Sequence, residues 1–281
     1  MSGASVNDVT EHSSLDGDRV RAALAGDALW SDLRVVSATG STNADLRALA
    51  DGGAPEGTVV CTDDQRAGRG RLTRTWVSPP GAGIAVSMLL RPSEVARAQW
   101  SWLPLVAGLA VADALDGLVL DARLKWPNDV LLGERKVAGI LVEIVDRGRA
   151  AVVGVGLNVA ATEEQLPVPT ATSLAIELGR DVETTAVLIA LLHSTARWYG
   201  EWRTAAAEAS PDDVSSGVVA GAYAARSATL GRAVEVTLPD GGVHTGVATA
   251  IDANGALVVE NEAGSTAFSA GDVTHARSGS R

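Results

Sequence analysis

Cysteine is nearly absent from this chain: a lone Cys61 in 281 residues excludes an internal disulfide framework. Histidine is almost as scarce. His12, His193, His244 and His275 stand far apart with no ligand spacing between them, so no zinc-type motif is present, and a metal is expected only in company with a substrate. Positive charge is in deficit, 23 Lys and Arg against 34 Asp and Glu. The resulting net charge of −11 opposes general attraction to nucleic acid or to an anionic membrane surface. No apolar run approaches the ~18 residues of a membrane span, and no apolar segment of a secretory signal opens the chain. A cytoplasmic protein without DNA or membrane partners is the expectation.

What is present suffices for a full core. With 46% hydrophobic residues, the length fits one large domain plus one small one. An amphipathic helix is predicted over 19–29 and a strand over 33–36. Ser41, Thr42 and Asn43 offer N-caps for a helix through Leu46 and Leu49, closed by Asp51, Gly52 and Gly53. Strands follow at 58–62, which carries Cys61 as a core residue, and at 84–90. Leu105, Leu109 and Ala112 recur at helical spacing. Two β-rich runs, 137–145 and 150–159, flank Asp146, Arg147 and Gly148 and read as a hairpin; a helix is predicted over 182–207. Beyond Leu230 the character changes to short strands at 234–238, 243–251, 257–260 and 266–268, divided by turn residues, which predicts a small all-β barrel.

The scarce basic residues cluster. Gln65-Arg66-Ala67-Gly68-Arg69-Gly70-Arg71 interleaves glycines with guanidinium groups, so that backbone can approach a ligand while forked donors meet carboxylate or phosphate oxygens. Taken alone, it could equally be a solvated basic loop. Trp76 follows, either as core or as a ring for stacking. Lys125-Trp126-Pro127-Asn128-Asp129 joins a charge, a ring, a rigid turn and two polar groups directly before the strand-like Val130, Leu131 and Leu132. Lys136 stands at the edge of the run 137–145, where burying an amine is costly unless an anion meets it. Gly154 and Gly156, outside any βαβ pattern, read as permitting close strand packing.

In this order and spacing, with Arg135 to Glu143 and Gly154 to Asn158 following, these motifs resemble the biotin protein ligase family in the form without an N-terminal DNA-binding domain. The resemblance spans about 35–158, and the terminal strands are similar to the family's SH3-like domain. It implies an α+β fold, a mixed and largely antiparallel sheet with packed helices as in class II synthetases, plus the SH3-like barrel. The division implied is an extension at 1–33, a catalytic domain at 34–229 and a C-terminal domain at 230–281. It also implies the reaction: biotin is activated by Mg-ATP as biotinyl-5′-AMP with release of pyrophosphate, then passed to a lysine of the biotin carboxyl carrier domain of an acyl-CoA carboxylase. Magnesium would come with ATP, and the enzyme would be a monomer or weak homodimer.

Site roles come with the same resemblance. Lys136 and Arg71 would be catalytic. Ser41, Thr42, Asn43, Gln65, Arg69 and Gly70 would hold biotin together with them. Arg74, Trp76, Lys125, Asn128, Asp129 and Asn158 would serve the nucleotide beside Arg71 and Lys136, with Asp129 near the metal. The family's loop often continues Gly-Arg-Arg-Gly-Arg; here Leu72, Thr73 and Arg74 follow Arg71 and keep only the last charge. An octanoyl transferase of related fold would need a catalytic cysteine, which Cys61 is badly placed to supply.

Overall fold

A computed structural model describes residues 15–72, 74–208 and 217–275; His12, Thr73 and the outer parts of both terminal segments lie outside the described residues. The first helix, α1 (Gly17–Ala23), is shorter than the predicted 19–29. Asp16 caps it by accepting from the Arg19 amide at 2.9 Å, but Gly26 at φ +93° cannot continue it, and Asp27 accepts from the Leu29 amide to make a turn instead. Leu15, Val20 and Leu24 are buried in the main core, and the Asp16 amide donates to Thr185, so this segment packs as part of the domain.

β1 (Asp32–Val35) precedes α2 (Thr42–Asp51), which starts at the predicted Ser41 cap and stops at Gly52 and Gly53. Then come β2 (Thr58–Thr62), a two-residue pair β3 (Gly68–Arg69) and β4 (Thr75–Trp76), and β5 (Gly83–Leu90). α3 (Leu103–Asp116) leads to β6 (Ala122–Lys125), β7 (Asp129–Leu132), β8 (Arg135–Val145) and β9 (Ala150–Asn158). α4 (Leu174–Leu178), α5 (Thr184–Glu208) and α6 (Val218–Arg226) close the larger part. β6 and α6 carry no strong signal: four residues alternating apolar and basic are too few to fix a period, and an Ala- and Gly-rich helix shows little contrast between its faces.

The main sheet runs β1-β2-β5-β9-β8-β7-β6, with only β1 and β2 parallel. This is the mixed, largely antiparallel sheet that the family resemblance implies. α3 and α5 cover one face, and α3 is buried nearly all round because it lies between sheet and helix. On the other face α2 seats Leu46 and Ala50 against Val60, Leu89 and Val152. That helix covers only part of its face, and the uncovered part carries the site.

The C-terminal strands β10 (Ala233–Thr237), β11 (Val243–Ile251), β12 (Leu257–Asn261), β13 (Gly264–Phe268) and β14 (Asp272–His275) form an antiparallel sheet ordered β13-β12-β11-β10-β14. The order matches the SH3-like expectation in strand number and direction, although β13 and β14 stand at opposite ends of the ladder and do not close it. Its apolar face, Val234, Val236, Leu257, Val259 and Phe268, is continuous with the main core. Trp126 explains its place in the Lys-Trp-Pro-Asn-Asp run here: its buried indole donates to the Gly255 carbonyl at 3.2 Å and ties the two sheets together, as Trp102 does to Ala253 at 3.0 Å.

Candidate active site

Residues opposite one another in an antiparallel sheet share a face. The register places Ala85, Gly156 and Gly139 in one row, Ser87, Gly154 and Leu141 in the next, and Leu89, Val152 and Glu143 in a third. Val152 lies under α2, so all three rows face the same way, and the first two consist mainly of residues with little or no side chain. The sheet therefore offers a bare floor. A Cβ on Gly156 would stand 2.5 Å from the Trp76 ring, and one on Gly154 would stand 2.1 Å from Asn43 Oδ1. These glycines do permit a close approach, but of side chains lying on the sheet and not of strand against strand.

Around that floor is an open cavity of about 100 Å³. Ser41, Thr42, Asn43, Gln65, Arg69, Gly70, Arg71, Arg74, Trp76, Asn128 and Lys136 from the sequence expectations all line it. Lys125, Asp129 and Asn158 do not. Lys125 lies opposite Asp129 in the β6–β7 pair, on the side of His275. Asn158 is buried and donates to the Thr172 carbonyl at 3.0 Å, anchoring the segment whose Thr170 and Thr172 backbones bracket Lys136. Asp129 reaches the site through its ion pair with Lys136, Nζ to Oδ1 at 2.5 Å.

The closed end is polar. Gln65 Oε1 accepts from the Thr42 amide at 2.9 Å and lies 3.1 Å from its hydroxyl, which fixes the direction of the Gln65 carboxamide. Ser87, fully buried and without a signal in the sequence, stands 2.7 Å from Thr42 Oγ1 and donates to Asn43 Oδ1 at 2.6 Å. Asn43 Nδ2 donates to Glu143 at 2.8 Å and to the Leu141 carbonyl at 3.3 Å. Asn43 is thus held on every side by protein and braces the start of α2.

The mouth is cationic. Lys136 Nζ lies 5.7 Å from the Trp76 ring centroid, over its face. Arg71 reaches Asn128 Oδ1 at 3.4 Å and the Gly271 carbonyl at 3.2 Å, while Asn128 is itself fixed by donating to the Ile140 carbonyl at 2.9 Å. Burial pulls the Arg71 guanidinium below its ordinary pKa; Asp272 opposes that, Arg74 adds to it and Asp129 opposes it again. A partly desolvated cation of this kind gains most from an anion brought into the same low-water space. Arg74 pairs with Asp272, and the Gly70 amide donates to the Arg74 carbonyl at 2.7 Å, closing the loop on itself.

The cations and polar residues named from the sequence gather around this cavity, while Ser87, Gly139 and Glu143 carry no role from the sequence. A glycine spacing of i, i+2 inside a strand signals such a floor. Nothing local marks Ser87.

With that geometry in place, comparison with known proteins is direct. Residues 36–159 match the Biotin/lipoate A/B protein ligase family, and residues 229–275 match the Biotin protein ligase C terminal domain. The chain is 40% identical to a biotin--[acetyl-CoA-carboxylase] ligase of Mycobacterium tuberculosis over 88% of this chain and 90% of that one. It is 36% identical to the ligase of the same name from Paracoccus denitrificans over 85% and 98%. Its fold is similar to the biotin protein ligase from Aquifex aeolicus in complex with biotin and ATP, with a TM-score of 0.73 and 29% identity over 89% of this chain and all of that one. A relative 40% identical over nearly the whole of both chains and the two family matches agree, and the chain belongs to the biotin protein ligase family.

Proposed function

We propose that this enzyme activates biotin with ATP and transfers it to a lysine of a biotin carboxyl carrier domain. One observation carries the reading: a single cavity joins oriented amide and hydroxyl groups at its closed end to Lys136 and Arg71 at its mouth. Biotin has the matching polarity, a ureido head that hydrogen-bonds and a carboxylate at the end of an apolar tail. Ser41, Thr42 and Gln65 meet the head, and Trp76, whose ring lies on the glycine floor, walls the space for the fused rings and tail on one side and faces the adenine on the other. The dithiolane of lipoate or the methyl end of octanoate would leave those polar groups unpaired, a penalty of ~1–3 kcal/mol for each buried group.

The biotin carboxylate attacks the α-phosphorus of ATP, and the bond to the β-phosphate oxygen breaks, releasing pyrophosphate. Two anions must approach each other for this. Lys136, placed between them, offsets their repulsion, while Arg71 supports the same charge from the loop side. In the second step the acceptor amine attacks the acyl carbon and AMP leaves. Arg69, Gly70, Arg71 and Arg74 form the loop that keeps water from the mixed anhydride in between. Asn128 orders Arg71, and Asp129 and Asn158 keep Lys136 in place; for Lys125 we keep only a long-range contribution to the phosphates. Among the described residues there is no cluster of three metal-ligating side chains, and Asp129 is already paired with Lys136. The residues do not fit a protein-held magnesium, so the ion is assigned to the nucleotide.

An octanoyl transferase is disfavoured by Cys61. It lies in the main core on β2, and burial, with Asp63 adding, pushes its thiol from 9.0 up to about 12. Such a thiol is neither reachable nor ionised.

Relatives named for acetyl-CoA carboxylase support a carboxylase carrier domain as acceptor. Our domain division keeps 34–229 as the catalytic unit, with the packed part of the 1–33 extension joined to its core, and 230–281 as the C-terminal unit, supported by the spans of the two family matches. No described helix is long and apolar enough to cross a membrane, and we place the enzyme in the cytoplasm as a monomer or weak dimer. The test is exchange of labelled pyrophosphate into ATP. Exchange with biotin, and none with lipoate or octanoate, is expected; exchange with lipoate alone would overturn the substrate, and none with any acid would leave a binding protein.

A further inference from the structure

Glu143 is an acidic residue beside the site that the mechanism leaves without work, yet it joins two of the residues assigned to that site, Asn43 and Arg69. It lies on β8 in the row beyond Leu141, and its side chain is only 22% exposed. Its Oε2 accepts from Asn43 Nδ2 at 2.8 Å and from Arg69 Nη2 at 2.9 Å; its Oε1 accepts from Arg47 Nη2 and from the same Arg69 nitrogen, each at 3.1 Å. One carboxylate thereby joins α2, the basic loop and the sheet. Asn43 needs that oxygen to keep the start of α2 on Gly154, and Arg69 needs both oxygens to bring the root of the loop down to β8.

Two positive guanidinium groups share this single negative charge, so the corner keeps a net positive charge while Arg69 is held. The Arg69 side chain is 43% exposed, and among the described residues Glu143 is the partner that draws it from solvent onto β8.

We propose that Glu143 is a positioning residue for adenylate retention, acting through Arg69 on the loop and, separately, through Asn43 on the biotin-head end of the cavity. This rests on the biotin-activating function proposed above. The two branches predict different readouts. The Asn43 branch changes biotin affinity. The Arg69 branch changes how long the finished adenylate stays bound.

The experiment forms biotinyl-adenylate in situ on the full-length enzyme from labelled biotin and ATP with pyrophosphatase, then chases with unlabelled biotin. Wild type, Glu143→Ala, Glu143→Gln, Arg69→Ala, Arg47→Ala and the double variant of Glu143→Ala with Arg69→Ala are compared. Glu143→Ala is expected to speed release by ~fivefold or more, the scale of one well-held ion pair. The Arg69→Ala change should speed release as well, and the double variant should release no faster than Glu143→Ala alone. Arg47→Ala should stay within ~twofold of wild type, because Arg47 shares the carboxylate without bordering the cavity. Glu143→Gln keeps the size and an acceptor oxygen for Asn43, so it isolates loss of the charge in a folded protein should the alanine variant be unstable. Release at the wild-type rate from both Glu143 variants, or additive effects in the double variant, would overturn the inference. Failure of the wild type to form any adenylate from biotin would instead overturn the proposed function.

Discussion

Lys136 and the floor glycines are where single atoms decide the outcome. Lys136 is held at both backbone polar groups by Thr170 and Thr172 and meets Asp129 through its amine, so its removal takes away a placed charge without unmaking a strand. Lys136→Ala is expected to lower biotin-dependent pyrophosphate exchange more than ~tenfold while the melting temperature changes little, since one charge-assisted contact is worth ~1.5–3 kcal/mol. The glycines behave oppositely to each other. Ala at Gly156 pushes on Trp76, which sits on the short β3–β4 pair and can shift, so biotin affinity measured by calorimetry should fall about tenfold with little loss of stability. Ala at Gly154 pushes on Asn43, buried and held by Ser87, Leu141 and Glu143, so that variant should lose ~1–3 kcal/mol in a thermal melt as well. Equal melts for the two would sink this distinction.

At the level of elements, what could be read from sequence was what is repeated or capped. The Ser41 cap, the Gly52-Gly53 stop, the β8–β9 hairpin and the long α5 each put their signal into several adjacent residues, and each stands where it is predicted. The motifs fixed the cavity in the same manner, because Arg69, Arg71, Trp76 and Lys136 carry chemistry that a fold seldom spends without a ligand. Ser87 and Glu143 were illegible for a physical reason: their partners are 44 or more and 74 or more residues away, and only the strand register brings them together. The connection from α3 to β6 shows local conformation yielding to packing. Val119 there is 93% exposed at φ +60°, a left-handed backbone that a β-branched residue enters only at a cost. Val119→Gly should relieve about 1 kcal/mol and raise the melting temperature by ~2–3 °C, with no effect on exchange. A lower melting temperature would mean that the turn is held by something other than its neighbours in the chain.

For the whole molecule, the small C-terminal sheet matters through β14. Asp272 holds Arg74, and the Gly271 carbonyl holds Arg71, so the loop over the cavity is fastened to a second part of the protein. Arg74 is mostly exposed, and such a pair is worth up to ~1 kcal/mol; Asp272→Asn should speed adenylate release by no more than ~fivefold, an effect that shrinks as salt rises. A salt-independent change would place the cause elsewhere. His275, at the end of the same strand, is pushed below its ordinary 6.5 by burial first and then by Lys125 and Arg232. The unfolded chain therefore takes up this proton before the folded one does. The stability involved is present above pH 6.5 and is lost as the pH falls below it. Thermal melts should decline with acid over that window, and less so in His275→Gln. The fastening has one more consequence, in time and not in space. Arg71 and Arg74 precede their C-terminal partners by 200 and 198 residues, so a ribosome making ~5–20 residues per second finishes the loop roughly 10–40 s before those partners exist, whereas Asn128 and Glu143 follow their arginines by only 57 and 74 residues. A nascent chain has its cavity walls and the Glu143 hold on Arg69 long before the C-terminal fastening, which tightens the loop only once synthesis is nearly complete.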